Sequence, residues 1–204
     1  MASRKERIRS ELLVLRCRRG DTEALGELVA LWERPLLYYI RRMVDSEEDA
    51  WDVLQEVWCR VVRKIGTLRD SAAFPAWLYR IARNIAINHI RDAVRLRELR
   101  ESNDCRGQAN SDTGSANVSF DAEGLHRGLG RLSLGHREAL ILHYLEGFSL
   151  AEIAEVAGVP VGTVKSRIHF ARKALRAALT EEARGGASST QRVGRNAVSG
   201  GHDE

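Results

Sequence analysis

The sequence predicts an all-α fold: two small helical domains joined by a flexible linker. Three observations carry this expectation. Apolar residues recur at steps of three and four almost throughout, and strand-like alternation is scarce. Only three prolines interrupt 204 residues, so few helices are forced to stop. Between residues 102 and 119 the periodicity fails. There SNDCRGQANSDTGSANVS holds almost no large apolar side chain, too little to offset the entropy of ordering it. A stretch of about 20 residues reaches roughly 65 Å extended or averages roughly 25 Å as a coil. The expected organisation is a first domain over residues 1–98, a linker over 99–122, a second domain over 123–182 and a disordered tail over 183–204.

In the first domain, Ala24, Leu25, Leu28, Leu31 and Trp32 form one apolar stripe, and a second segment covers residues 36–44. Val53, Leu54, Val57, Trp58, Val61, Val62 and Ile65 form a wide stripe ending at Gly66. Phe74 and Trp77 open a further helix, continued by Leu78, Ile81, Ala82 and Ile85. Helical signals resume near Leu125. Ser149 and Glu152 have the spacing of a capping box, so a helix is expected to start there. Gly158 permits a sharp turn, and Pro160 stands at the entrance of the next helix, where its missing N–H does little harm. Val161, Val164, Ile168, Ala171, Leu175 and Leu179 then recur at helical steps. Helix, short glycine turn and second helix make helix-turn-helix spacing.

The formal net charge of +4 is a mild pointer to a nucleic-acid partner. Its distribution says more. Residues 45–56, DSEEDAWDVLQE, carry only acidic charges, whereas 163–176, TVKSRIHFARKALR, carry only basic ones. Cys17, Cys59 and Cys105 stand far apart with no CxxC, which argues against a zinc site and fits a reducing cytoplasm. The first residues lack the apolar core of a signal peptide, and no apolar run is long enough to span a bilayer. A soluble cytoplasmic protein with no stable membrane association is expected.

Two basic helices carry the functional signal. On a helical wheel for residues 159–175, Ser166 and Lys173 lie opposite the apolar stripe, with Gly162, His169 and Phe170 beside them and Lys165, Arg167, Arg172 and Arg176 at the flanks. A helix in the major groove needs small or hydrogen-bonding residues at its centre and long cations reaching phosphates at its sides. A merely solvated basic helix usually carries interspersed acids, and none appears between Thr163 and Glu181. The second basic helix, AWLYRIARNIAINHIRD over residues 76–92, mixes Trp77 and Tyr79 with Arg80, Arg83, Asn84 and Asn88. Aromatics beside cations and amides suit unpaired DNA. Trp77 reads as core rather than as a stacking platform. Arg69 and Phe74, in the preceding loop, are better placed to touch an extruded base.

These segments resemble a known family. DAWDVLQEVWCRVV followed by FPAWLYRIARNIAINHIRD is similar to regions 2.2 to 2.4 of bacterial sigma factors. LSLGHREALILHYLEGFSLAEIAEVAGVPVGTVKSRIHFARKAL is similar to region 4. The short length and missing intermediate domain resemble the extracytoplasmic-function (ECF) group, and the likeness covers about residues 18–96 and 125–179. The resemblance implies a region 2 helical bundle and a region 4 helix-turn-helix. It also implies a protein that binds core RNA polymerase and directs it to promoters, with region 2 recognising and melting the minus-ten element and region 4 reading the duplex minus-thirty-five element.

By that resemblance, Asp49, Asp52, Gln55, Glu56 and Trp58 would dock on the beta-prime clamp helices, and region 4 on the beta flap. Region 2 contacts to promoter DNA would be Arg69, Ser71, Phe74, Arg80, Asn84 and Asn88. Region 4 contacts would be Thr163, Lys165, Ser166, Arg167, His169, Arg172 and Lys173. The resemblance also admits an anti-sigma factor as a partner. Two departures stand out. Phe170 occupies a place where the family often has Arg or another polar residue, and Ser133-Leu134-Gly135-His136 replaces the usual Pro-rich start of that helix.

Two other readings compete. A stand-alone helix-turn-helix regulator binding an operator as a dimer explains the C-terminal motif, but neither the acidic tryptophan-bearing helix nor the aromatic-basic one. An enzyme such as a recombinase would need a nucleophile–base pair or a carboxylate cluster. His126, His136 and His143 are spread along helical segments and do not supply one. No catalytic, cofactor or metal site is expected.

Overall fold

The computed structural model describes residues 4–103, 125 and 127–193; Cys105, His126, most of the expected linker and the end of the tail lie outside the described residues. The first half consists of α1 (Arg4–Arg18), α2 (Thr22–Ile40), α3 (Glu47–Lys64) and α4 (Phe74–Asn103), with two 3-10 turns between α3 and α4. The second half has a helical turn at 127–130, α5 (Leu134–Leu140), a π-helical turn (Ile141–Leu145), α6 (Leu150–Ala157) and α7 (Val161–Val193). Among the described residues there is no strand, and no helix is long and apolar enough to cross a membrane.

Local chemistry sets the helix ends. Asp21 caps α2 by accepting from Ala24 N at 3.1 Å, and Ser46 caps α3 by accepting from Asp49 N at 3.0 Å. Glu47, Glu48 and Asp49 fill the first turn of α3 while Arg63 and Lys64 fill its last, both favourable to the helix dipole. The two segments expected on either side of residue 35 form one helix, with Pro35 inside α2. Proline removes one backbone hydrogen bond there, but Leu28, Trp32, Leu36 and Tyr39 are buried in register across it. Helix α4 outruns the expected boundary at residue 98 because Arg, Glu and Leu, all strong helix formers, fill RLRELRESN. Helix α7 continues to Val193 through Gly185 and Gly186, and nothing in the sequence explains that extension.

The two halves share one hydrophobic cluster. Leu28, Trp32, Phe74, Leu78 and Tyr79 belong to it, as do Leu142, Phe148, Ile153 and Ile168 from the second half. The junction lies where α4 meets α6 and the loop before it. Tyr79 packs edge-on against Tyr39, with centroids 5.1 Å apart, and against Phe148 at 5.0 Å. The Tyr79 hydroxyl donates to Glu146 Oε2 at 2.7 Å, and the Tyr39 hydroxyl donates to Glu138 Oε1 at 3.1 Å. Arg83 Nε also lies 2.7 Å from Glu138 Oε1, an ion pair rather than a well-aligned hydrogen bond. At the rim, Arg7 pairs with Glu152 at 2.6 Å and Arg137 Nη1 donates to the Arg42 carbonyl at 3.0 Å.

Burial pushes the carboxyls of Glu138 and Glu146 above the usual range. The Arg83 charge and the Tyr39 hydrogen bond oppose this at Glu138; the Tyr79 hydrogen bond and the Arg42 charge oppose it at Glu146. Burial also raises both tyrosines well above their ordinary value, so each phenol stays protonated and able to donate.

Two stability predictions follow from this junction. Tyr79→Phe removes the hydroxyl that donates to the buried Glu146 carboxylate and should cost about 1–3 kcal/mol. Tyr39→Phe should cost less, because Arg83 still faces Glu138; urea denaturation followed by circular dichroism compares them. Glu146→Gln should behave differently. The folded state holds a proton on Glu146 more tightly than the unfolded chain does. Wild-type stability therefore falls as pH rises from the ordinary carboxylate range through the raised value. The glutamine still accepts from Tyr79 and cannot ionise. Its melting midpoint relative to wild type should climb across that window and level off above it. A difference independent of pH would contradict the burial-raised carboxyl.

Candidate nucleic-acid interface

The helix-turn-helix assembles as its sequence requires. Ser149 Oγ accepts from Glu152 N at 3.3 Å while Glu152 Oε2 accepts from Ser149 N at 2.8 Å, completing the capping box. Gly158 ends α6 with φ of 65°, a left-handed conformation that costs glycine little. The Pro160 carbonyl then accepts from Thr163 N at 2.9 Å to start α7. Val164, Ile168, Ala171 and Ala178 are buried, which fixes the rotation of the helix. The outward line is Gly162, Ser166, His169, Phe170 and Lys173, all exposed, with Lys165 and Arg172 exposed beside it.

Two expected contacts stand apart from this set. Thr163 is half-buried, and its carbonyl accepts from Ser166 Oγ at 3.0 Å. Arg167 turns back toward the start of α5, where a Cβ on Gly135 would lie 3.3 Å from its Cζ. It is half-buried there and lends positive charge to Glu138. A residue between Ser166 and Ile168 is drawn to whichever neighbour lies closer, and here that neighbour is α5.

On α4, Arg80, Asn84 and Asn88 are all exposed at four-residue steps and share one face, and Arg91 continues it. Arg80 lies 4.0 Å from Glu155 of α6 at the edge of the junction. Arg69 is exposed and Ser71 half-buried in the preceding turns. The expectation for Phe74 is corrected. It is completely buried, its ring 6.2 Å from Trp32 and 5.9 Å from Trp77. As the first residue of α4 it points into the core between α2 and α4, so it cannot receive an extruded base without unpacking that core.

The acidic face lies on α3. Asp52, Gln55 and Glu56 are exposed, Glu56 pairing with Arg60 at 2.7 Å. Asp49 is half-buried, 3.6 Å from His89 of α4. Trp58 is partly buried and packs against the core. The open tryptophan is Trp51, 46% exposed, which sequence pattern alone does not single out. The two lie seven residues apart, on nearly the same side of the helix. The signal that separates them is the buried stripe of Ala50, Val53, Leu54, Val57 and Val61: Trp58 is bracketed by Leu54 and Val61, whereas Trp51 stands at its beginning. Val62, 53% exposed, extends the open face.

A groove of about 620 Å³ opens between α7 and the π-helical turn, lined by Leu129, Leu140, Leu145, Leu175 and Leu179 and rimmed by Arg172 and Arg176. Among the described residues, no cluster of His, Cys and carboxylate side chains could hold a metal ion.

Comparison with known proteins locates these surfaces in a family. The family model described as Sigma-70 region 2 matches residues 28–96, and that described as Sigma-70, region 4 matches residues 122–175. The RNA polymerase sigma-H factor of Pseudomonas aeruginosa is 36% identical over 179 residues, covering 82% of this chain and 92% of that protein. The ECF RNA polymerase sigma-E factor of Escherichia coli is 33% identical over 181 residues, covering 83% and 94%. Among solved structures, CnrH in complex with the cytosolic domain of CnrY matches with a TM-score of 0.64 and 27% identity, covering 85% of this chain and 98% of that one. The sigma factor RpoE of Bartonella quintana, in complex with the anti-sigma factor NepR, matches with a TM-score of 0.64 and 26% identity, covering 76% and 96%.

Proposed function

The chain belongs to the ECF RNA polymerase sigma factors, and on that premise we propose which of its surfaces meets polymerase and which meet the promoter. It binds core RNA polymerase and directs promoter-specific initiation, region 2 acting in recognition and melting and region 4 in duplex recognition. It works by binding rather than by catalysis, in the cytoplasm where polymerase acts. The observation that carries the assignment is the division of its surface. Helix α3 exposes Trp51, Asp52, Gln55 and Glu56, whereas α4 and α7 expose cations and amides.

The α3 face docks on the beta-prime clamp helices. Its carboxylates steer and orient the encounter, and Trp51 supplies the desolvated anchor. On α4, the stripe of Arg80, Asn84 and Asn88 meets the strand opened at the minus-ten element, with Arg69 beside it. Cations hold phosphates there, and the two amides, each donor and acceptor, can pair with the edge of an unstacked base. On α7, Lys165, Ser166, His169, Arg172 and Lys173 face the minus-thirty-five duplex. The leucine-lined groove behind α7 is apolar with a basic rim and accepts the beta flap. An anti-sigma factor, of the kind that accompanies the Bartonella quintana relative, is a further partner for these same surfaces.

Reconstituted transcription tests this reading. Purified chain with core polymerase should initiate specifically on at least one fragment of its own genome; failure on every fragment, together with failure to co-purify with core, would overturn it. Two substitutions separate the surfaces. Trp51→Ala should weaken binding to core by at least about tenfold. Asn84→Ala should leave core binding intact and reduce open-complex formation, read by permanganate reactivity of unpaired thymines. The opposite pattern would mean that the two faces have been exchanged.

A further inference from the structure

Phe170 departs from the polar chemistry expected at its position, and the structure makes the departure explicit. It is 56% exposed on the outward line of α7, between Ser166 and Lys173. The buried residues Val164, Ile168, Ala171 and Ala178 fix the helix rotation, so Phe170 cannot turn into the core. Its ring meets the His169 imidazole edge-on, with centroids 5.4 Å apart, which joins the two rings in one outward-facing patch. Lys165, Arg172, Lys173 and Arg176 surround this patch with positive charge, and no acid interrupts the helix before Glu181.

A large apolar ring inside a basic field needs a partner that is anionic overall and apolar at one point. Duplex DNA is such a partner: its backbone is a polyanion, and the thymine C5 methyl is the apolar group displayed in the major groove. A phenyl ring neither donates nor accepts hydrogen bonds. Set against guanine O6 and N7 or cytosine N4, it would strip water from those groups and return nothing; against a thymine methyl it buries apolar surface from both sides. Arginine at the same place would favour guanine.

We propose that Phe170 is a specificity-determining residue of this sigma factor: it reads thymine in the minus-thirty-five element through the C5 methyl group. The proposal rests on α7 being the duplex-reading helix, and the test separates the two ideas. Holoenzyme made with core polymerase first selects duplexes from a library randomised across the upstream element. Thymines in the selected duplex are then replaced one at a time by deoxyuridine, which deletes only the methyl. Wild-type holoenzyme should lose roughly three- to fivefold in affinity at one or two positions, the worth of one buried methyl. Holoenzyme carrying Phe170→Ala should lose no further affinity there, and Phe170→Leu should keep part of the penalty. The side chain is exposed, so both variants should fold with unchanged melting midpoints. A selected sequence with no deoxyuridine-sensitive thymine overturns the proposal, as does a penalty that persists in Phe170→Ala. A fall in core binding on substitution overturns it too, by assigning Phe170 to a protein contact. Selection of no sequence at all would instead sink the reading of α7.

Discussion

Tyr39 and Tyr79 each carry a phenolic O–H into an otherwise apolar interior, and each meets a carboxylate from the other half of the chain. An unpaired hydroxyl or carboxylate at that depth would cost several kcal/mol, so the halves must bring donor and acceptor together or leave both in water. That constraint fixes where α4 meets the second half. It sets Arg83 against Glu138 and Arg80 near Glu155, and it leaves Asn84 and Asn88 open on the adjoining face. The rings contribute as well. Trp32, Tyr39, Tyr79 and Phe148 make a continuous set of edge-to-face contacts across the junction.

Charge is sorted by helix. Helix α3 shows its carboxylates to solvent on the side away from its buried stripe, and α7 shows cations on the side away from its own. Acids fill the first half of the α3 face, and cations enter it only toward the C-terminal end, at Arg60 beside Glu56 and at Arg63. A face of one sign is costly in an isolated helix, because the i,i+4 pairs that would stabilise it are missing. Both helices compensate through tertiary burial: five buried residues on α3, and the continuous stripe from Val164 to Ala178 on α7.

Most of the fold was legible because helices announce themselves by period. The capping box at Ser149, the turn at Gly158 and the stripe of α7 all follow from residues close in sequence. What local pattern could not supply was contact between distant elements. Phe74 reads as a loop aromatic beside cations, and only the packing of α2 against α4 shows that it is core. Trp51 and Trp58 have the same type and nearly the same wheel angle, and coverage by the rest of the bundle decides which one is open. Arg167 has the composition of a DNA contact but faces α5. Nothing in the sequence marks Glu138 and Glu146 as buried, since no helical period can indicate that Tyr39 and Tyr79, about 100 and 70 residues away, arrive above them.

The polar content of the junction bears on how the molecule works. Reading two separated promoter elements requires regions 2 and 4 to stand apart, and a chain of the length from residue 103 to 125 can reach roughly 75 Å when extended. A purely apolar interface between the halves would resist that separation, because every square ångström exposed costs free energy. Here the buried polar groups include two phenols and two carboxyls, all strongly hydrated once exposed, and burial works against the ionised form of both carboxyls. Water therefore returns to these groups much of what separation takes from them. The rim contacts, Arg7 with Glu152 and Arg80 with Glu155, involve charges already partly in solvent and add little resistance. An interface of this composition is specific in register, because each buried phenol finds its acceptor on the other half of the chain.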